Sequence, residues 1–420
     1  MAFLYPFLNF LQAGVLWPPL APFKPMLIAS IVTGAVGLMR SKGDIATMRR
    51  GFFTHPIFRW LCIFMAIQVV SMYYSGLLYM LNEFNFWYVY VLFVVVSLLA
   101  IHDATSLYRY VWGMMLGSAF IIAYGLYAVA VHSPTLAGGR AGAYGMYENH
   151  NDYTFIIVMV LPFAYLLMRT CRTRLAKLVL FALVITCIVG TLLSLSRGGI
   201  LALVLEIALL LWFTTAGTRR VLAIVAVALI GTAAVIHQFA AREENQLGHY
   251  SEADAESSRY ELWRSARNMF ETHPILGVGS RRFAEFSQDY GEISHDNRGK
   301  VAHNTYIEIA ADTGLLGLTS FFLMLRGMFR ATGRPRLAAE GDNEFTALRL
   351  AIAISLASIM VRSLLDAKVH DWSFYVLAVL AIATSTLEAK SVPADSAATP
   401  VPSPGPTLQP VRPTVYSRRL

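Results

Sequence analysis

Apolar stretches of membrane-spanning length recur along this chain from its first residues to about position 388, and a chain with that pattern folds in lipid rather than as a water-soluble globule. The stretches fall at residues 3–17, 24–39, 57–74, 85–101, 109–131, 153–169, 176–194, 199–214, 220–237, 305–325, 346–365 and 372–388. About twelve spans result. Several have roughly 16 residues where about 20 is usual, so tilt or partial insertion is expected, for the first span above all. Composition agrees: 56% of residues are hydrophobic and 14% charged, against about 25% charged in soluble domains. The expected fold class is an all-α polytopic membrane protein, with one membrane domain over residues 1–388.

The net charge of +8, from 34 Lys and Arg against 26 Asp and Glu, would suggest nucleic acid in a soluble protein. Here the basic residues fall mainly between apolar stretches, as in cytoplasmic loops. If the loop holding Arg40, Lys42, Arg49 and Arg50 is cytoplasmic, every second loop after it should also be basic. The groups at Arg109, at Arg169 to Lys177, at Arg219 and Arg220, and at Arg326 to Arg336 meet that demand, and the tail ends in Arg418 and Arg419. Both termini are therefore expected in the cytoplasm. The N-terminus has no basic region ahead of its apolar stretch, so the first segment is expected to be retained. Residues 389–420 are rich in Pro, Ala and Ser and are expected to be a disordered cytoplasmic tail. Cys62, Cys171 and Cys187 have neither metal-ligand spacing nor an even count.

Outward-facing basic residues run against this bias and need another reason to be there. The loop GGRAGAYGMYENHND, residues 138–152, offers Arg140, Asn149, His150, Asn151 and Asp152; it also reads as an ordinary solvated loop. SLSRGG, residues 194–199, places Arg197 at the outer rim between two spans. Ser196 and the following glycines would leave N–H groups open at a helix start, which together with an arginine suits a phosphate. A snorkelling anchor is the alternative for Arg197.

The long segment 238–304 should be a large outer loop. Within it, Ser258 and Glu261 form a capping-box pattern, and Leu262, Trp263, Ala266, Met269 and Phe270 share one helical face. An interfacial amphipathic helix is expected there, rimmed by Arg259, Arg264 and Arg267 and followed by Arg281 and Arg282; a basic helix lying on anionic lipid is the simpler account of those charges. Next comes AHNTYIEIAADTGLLGL, residues 302–318, with His303 just outside the membrane entrance and a second capping-box pattern at Thr305 and Glu308. Like charge from the arginines would keep His303 neutral, as a general base requires. The turn DAKVHDW adds Asp366, His370 and Asp371 on the same side.

Arginines, one histidine and a membrane-hugging helix on one side suit a substrate with an anionic head and a lipid tail, a lipid diphosphate above all. No acidic triad or histidine cluster has metal-site spacing, and no nucleotide-binding motif is present. Neither metal nor cofactor is expected, and an activated donor would arrive already on its lipid. A transporter or flippase is the competing class, with Glu206, Glu308 and Asp312 as pathway residues; a non-enzymatic assembly partner is a third.

The motifs around Arg140 and Asn151, SLSRGG around Arg197, SSRYELW to HPILGVGSRRF from Arg259 to Phe283, and HNTYIEIAADTGLLG from His303 to Gly317 together resemble the O-antigen ligase and O-antigen polymerase superfamily of bacterial membrane glycosyltransferases. That resemblance implies a GT-C-like helical fold with a large periplasmic loop, and glycan transfer from undecaprenyl diphosphate to an acceptor hydroxyl on lipid A core, a growing glycan or a protein. It further implies that Arg197 and Arg259 hold the diphosphate, that His303 activates or orients the acceptor, and that Arg140 and Asn151 shape the donor pocket. Ser196, Arg281, Arg282, Asn304 and Tyr306 are the remaining expected substrate contacts. Where the family commonly has an Asn-Pro-Asn-like turn, this chain reads Asn149-His150-Asn151. One base candidate without a carboxylate nucleophile beside it points to direct displacement with inversion.

Overall fold

The computed structural model describes residues 1–40, 43–133, 139–215, 252–333 and 344–391, with scattered positions between 217 and 233. Among the described residues the chain is helical and contains no strand, and nine helices are long and apolar enough to cross a membrane. The helices that matter below are α1 (Leu4–Leu11), α2 (Pro25–Met39), α3 (Asp44–Thr54), α4 (Pro56–Val70), α5 (Leu77–Ala100), α6 (Ala104–Ala130), α7 (His150–Thr170), α8 (Arg174–Leu193) and α9 (Arg197–Thr214). They continue with α10 (Glu252–Thr272), α11 (Thr305–Thr332), α12 (Glu344–Arg362) and α13 (Trp372–Ser391). The protein is an all-α polytopic membrane protein, as its hydropathy pattern implies.

At the centre of the bundle is α7, buried over most of its length and packed against α12, α8, α9 and α6. Lipid tails are as apolar as leucine, so helices associate in a bilayer through close packing and interhelical hydrogen bonds rather than through hydrophobic transfer. Small residues on α12 serve this purpose: Ser355 Oγ donates to the Met159 carbonyl of α7 at 2.9 Å, and Ser355 and Ser358 are fully buried. On the side of the Arg40 to Arg50 loop, the Arg49 guanidinium reaches the Gly37 carbonyl and, at 2.8 Å, the Leu99 carbonyl. A residue read as loop charge thus ties the ends of α2 and α5 to α3.

Two expected spans differ. The segment 3–17 is not one helix: α1 stops at Gln12, whose φ of 48° is left-handed, and Pro18–Phe23 follows as a 3-10 turn. Eight residues of α helix are too few to cross a bilayer. The segment 24–39 forms a helix of 15 residues, apolar but short. Of the segment 220–237, residues 220–227 are helical, while residues 234–237 and the first part of the following loop, 238–251, lie outside the described residues. The last helix runs from Trp372 to Ser391; the tail expected beyond it lies outside the described residues.

The segment that precedes α11 is locked to it by a break within that helix. Gly314 has φ 62° and ψ −160°, a conformation open to glycine without steric cost. The break frees backbone groups on both sides, and HPILGVG takes them up. Val278 N–H donates to Ala311 O at 2.9 Å and Gly279 N–H to Asp312 O at 2.9 Å; in return Leu315 N–H donates to Pro274 O at 2.8 Å and Leu316 N–H to Ile275 O at 3.3 Å. A Cβ on Gly314 would fall on the backbone of Ile275. Gly314→Ala is therefore expected to cost at least about 2 kcal/mol, from strain plus the lost docking. Gly299→Ala is the control: φ there is 73°, but nothing lies within 4 Å of the added carbon, so about 1 kcal/mol is expected. Thermal unfolding in detergent checks the pair, and equal losses would contradict the docking account.

Candidate functional site at one end of the bundle

Helix α9 opens with Ser196 as N-cap, its hydroxyl accepting from Gly199 N–H at 3.2 Å and donating to Asn151 Oδ1 at 2.7 Å. Ser196 thus occupies one of the N–H groups expected to stand open at this helix start. Arg197 is the first helical residue and is half-buried. Arg140 crosses from the preceding loop to the same turn, donating through Nε to Ser194 O at 3.0 Å and through Nη2 to Leu195 O at 2.8 Å. Arg140, Asn151, Ser196 and Arg197 therefore meet around one turn.

From Asn151 the network continues into α12. Arg362, 1% exposed, donates through Nε to Thr154 Oγ1 at 3.2 Å and through Nη2 to the Asn151 carbonyl at 3.3 Å. It also stands 3.3 Å from Asp366 Oδ2, with its guanidinium over the Phe155 ring. A buried cation needs such company, since a charge without partners in the protein interior is costly. Half-buried Arg259, on α10, lies within electrostatic range of Arg362.

Asp366 is also the partner of His303, whose Nδ1 stands 3.6 Å from Asp366 Oδ1. Burial would raise the Asp366 pKa, but His303, Arg362 and Lys368 outweigh it and hold the carboxyl at about 2. Beside the like charge expected around His303 there is thus also a carboxylate. His303 is also left-handed, with φ 50°, as are Leu195 at 51° and Arg281 at 61°. Non-glycine residues rarely adopt this conformation, and such outliers gather at functional sites.

A depressed folded-state pKa means that Asp366 contributes stability above its unfolded pKa near 3.8 and loses it as pH falls through about 2. The shift corresponds to about 2 kcal/mol. Wild-type thermal stability is expected to fall between pH 5 and pH 2, with that component missing from Asp366→Asn. Parallel pH profiles for the two proteins would contradict it.

The scaffold beneath this pair uses Asn304 and Tyr306. Asn304 caps α11, accepting from Tyr306 and Ile307 N–H at 3.0 and 3.1 Å while donating to Leu364 O at 3.1 Å. Tyr306 donates to Met360 O at 2.9 Å, and its ring stacks on Phe322. Both side chains hold α11 against the end of α12 and the turn after it. The capping pattern shifts as well: the cap is Asn304 rather than Thr305, whose hydroxyl donates to Asp366 O at 2.8 Å. Lys368 pairs with Asp152 at 2.7 Å; burial opposes its charge, but Asp152, Asp366 and Asp371 raise its pKa.

Arg281 and Arg282 belong to a neighbouring cluster. Arg281 pairs with Glu83 at 3.4 Å and lies 3.7 Å from the Phe86 ring centre, while Arg282 pairs with Glu285 at 3.0 Å and packs over Tyr79 and Phe286. Arg281 lines a cavity of about 160 Å³ with Gln68, Glu308, Asp312 and His370. Burial, with Lys368 and Arg281 nearby, pushes His370 down to about 4, leaving it neutral near pH 7. Asp312 accepts from the N–H groups of Arg281 and Phe283 at 2.9 and 2.8 Å, and Glu308 accepts from Ala302 N–H at 2.9 Å. Both acids, named as pathway residues for a transporter, bind backbone N–H groups of the segment that precedes α11. Glu206 is fully buried, and neither carboxyl oxygen has a partner among the described residues.

Helix α10 differs from expectation in two ways. Ser258 lies inside the helix, not at its cap, and Glu261 instead accepts from Ser294 and Asn297. Its apolar face is covered by the protein itself: Leu262, Ala266 and Met269 pack with Phe283, Ile293 and Ala302, and Trp263 donates to Ala302 O at 2.8 Å. The helix is amphipathic, but its apolar face holds residues 262–302 together.

Sequence reasoning missed Arg362, and it named Asp366 on the same side without giving it a role. Their spacing, four apart at a helix end with His303 near in topology, is the signal that would have found them.

Comparison with known proteins agrees with the motifs. Residues 181–322 match the model of the O-antigen ligase family. The exopolysaccharide production protein ExoQ of Rhizobium meliloti (strain 1021) is 29% identical over 133 residues, covering 30% of this chain and 31% of that protein. The chain thus matches less than a third of the length of this curated relative. Ser196, Arg197, Arg259, Arg281, Arg282 and His303 fall inside the family match, while Arg140, Asn151, Arg362 and Asp366 lie outside it and reach it through the bonds above. Over residues 181–322, then, this membrane protein is similar to the O-antigen ligase family.

Proposed function

We propose that the protein transfers a glycan from undecaprenyl diphosphate to an acceptor hydroxyl, at a site facing the periplasm of a bacterial inner membrane, with both termini in the cytoplasm. The observation that carries this reading is the His303–Asp366 pair beside the buried Arg362 and the turn holding Arg197. With Asp366 at Nδ1, the other ring nitrogen of His303 is the base that accepts the acceptor's proton, and the carboxylate stabilises the imidazolium that forms. The acceptor oxygen bonds to the anomeric carbon as the bond from that carbon to the diphosphate oxygen breaks. The electron pair leaves on the diphosphate, where Arg197 and Arg259 take up the charge. Arg140 and Asn151, held by the Ser194–Ser196 turn, shape the donor pocket; the carboxylate beside His303 is buried and paired with Arg362, so Asp366 orients the base rather than attacking, and inversion at the anomeric carbon follows from a single displacement.

The likeness to an exopolysaccharide production protein favours a growing glycan as acceptor, a polymerase reading of the same chemistry. Lipid A core and a protein hydroxyl are the other acceptors to test. The experiment is transfer from purified undecaprenyl-diphosphate oligosaccharide to each acceptor in EDTA. Product with inverted linkage is expected, and the acceptor used names the subclass. A retained anomeric configuration, or transfer that needs added metal, would overturn the corresponding part of the mechanism.

A further inference from the structure

A large cavity near this end of the bundle is not part of the arginine and histidine network. It measures about 670 Å³ and lies between α1, the turn from Gln12 to Lys24, α2 and α5, with Met146, Tyr147 and Trp372 on its inner wall. That size is typical of small-molecule and lipid sites. Phe10, Val15, Leu27, Leu92 and Phe93 make its surface apolar. Its polar side chains are turned into the wall: Asn9 donates to Tyr5 O at 2.9 Å, Ser30 to Met26 O at 2.8 Å, and Gln12 Oε1 accepts from Met146 N–H at 3.2 Å.

One charged residue lines the cavity among the described residues, and it is Lys24. Lys24 is exposed, caps the N-terminus of α2 and stands in a left-handed conformation with φ 45°. Its charge and the positive end of the helix dipole therefore act together on an anion. The flanks are also apolar and open: Trp17 is 63% exposed and Phe23 67%. In a membrane protein those side chains meet lipid, so the cavity opens sideways into the bilayer.

We propose that this cavity binds an anionic phospholipid, with an acyl chain against Phe10, Leu92 and Phe93 and the phosphate beside Lys24. The single cation matches a phosphodiester with one charge, whereas a diphosphate calls for several, and those stand in the separate arginine network. Trp372, whose Nε1 lies 2.9 Å from Met146 Sδ, forms the wall shared with the loop that holds Arg140. The lipid therefore braces that loop from behind. The inference does not depend on glycan transfer, because binding is read without any reaction.

The test is native mass spectrometry of the full chain released from detergent, titrated separately with phosphatidylglycerol, phosphatidylethanolamine and undecaprenyl phosphate. Wild type is expected to retain phosphatidylglycerol in preference to the other two. Lys24→Glu should weaken that binding about tenfold, by reversing one near-surface charge, while Lys24→Arg keeps it. Leu92→Trp, at a site already 38% exposed, should displace the chain without unfolding the protein, which circular dichroism checks. Equal retention by wild type, Lys24→Glu and Leu92→Trp would overturn the proposal, as would stronger binding of undecaprenyl phosphate or no retained lipid at all.

Discussion

Replacing His303 with alanine is expected to lower glycan transfer by about 10²- to 10⁴-fold, the usual range for a positioned base, while leaving donor binding near the wild-type value. His303 is half-exposed and its side chain meets Asp366 at 3.6 Å, so its removal takes away a proton acceptor without opening the core. Asp366→Asn should act in the same direction through His303, because the amide keeps the shape but not the charge that steadies an imidazolium. A fall in kcat with KM for the donor unchanged is the pattern of a group acting in the transition state. Weaker donor binding with kcat intact would move His303 from proton transfer to substrate holding. The Asp366 substitution also removes a partner from Arg362, so its activity must be compared at matched folded protein.

The second large effect is on stability. Arg362→Met should destabilise the protein by about 3–5 kcal/mol, the range for breaking a buried ion pair by removing one partner. The guanidinium connects α7 through Asn151 and Thr154 to the turn after α12 through Asp366, and without it the Asp366 carboxylate keeps only His303 and Lys368. Arg362→Met with Asp366→Asn should recover part of the loss, because the stranded charge is gone and both new side chains are neutral. Thermal unfolding of the two single variants and the double variant in one detergent gives the coupling. If the single variants fail to accumulate, the double variant still reports, since its recovery is the expected result. Additive losses would contradict the network.

Much of this site was legible because its residues break a rule. Arg140 and Arg197 stand out as arginines on the wrong side of the charge bias, and Ser196 and Asn151 stand beside them in short polar runs. The partners were harder to see. Arg362 closes an apolar stretch and reads as a helix-end charge, and Asp366 acquires its meaning only when α11 and α12 bring His303 to it from far along the chain. The face of Leu262, Ala266 and Met269 announces that it is covered, but periodicity does not say by what. Phe283, Ile293 and Ala302 cover it, where bilayer lipid was expected. The break at Gly314 is hidden because the apolar period continues across it. Gln12 ends α1 inside a stretch that hydropathy reads as continuous, since hydropathy carries no information on a left-handed turn.

The most direct test of the central claim compares glycan transfer from undecaprenyl-diphosphate oligosaccharide by wild type, His303→Ala and Arg197→Ala, with donor binding measured separately on the same folded preparations. The account predicts transfer by wild type alone, donor binding retained by His303→Ala and weakened in Arg197→Ala. Transfer that survives the loss of His303, or wild-type protein that binds the donor and transfers to no acceptor, would contradict it.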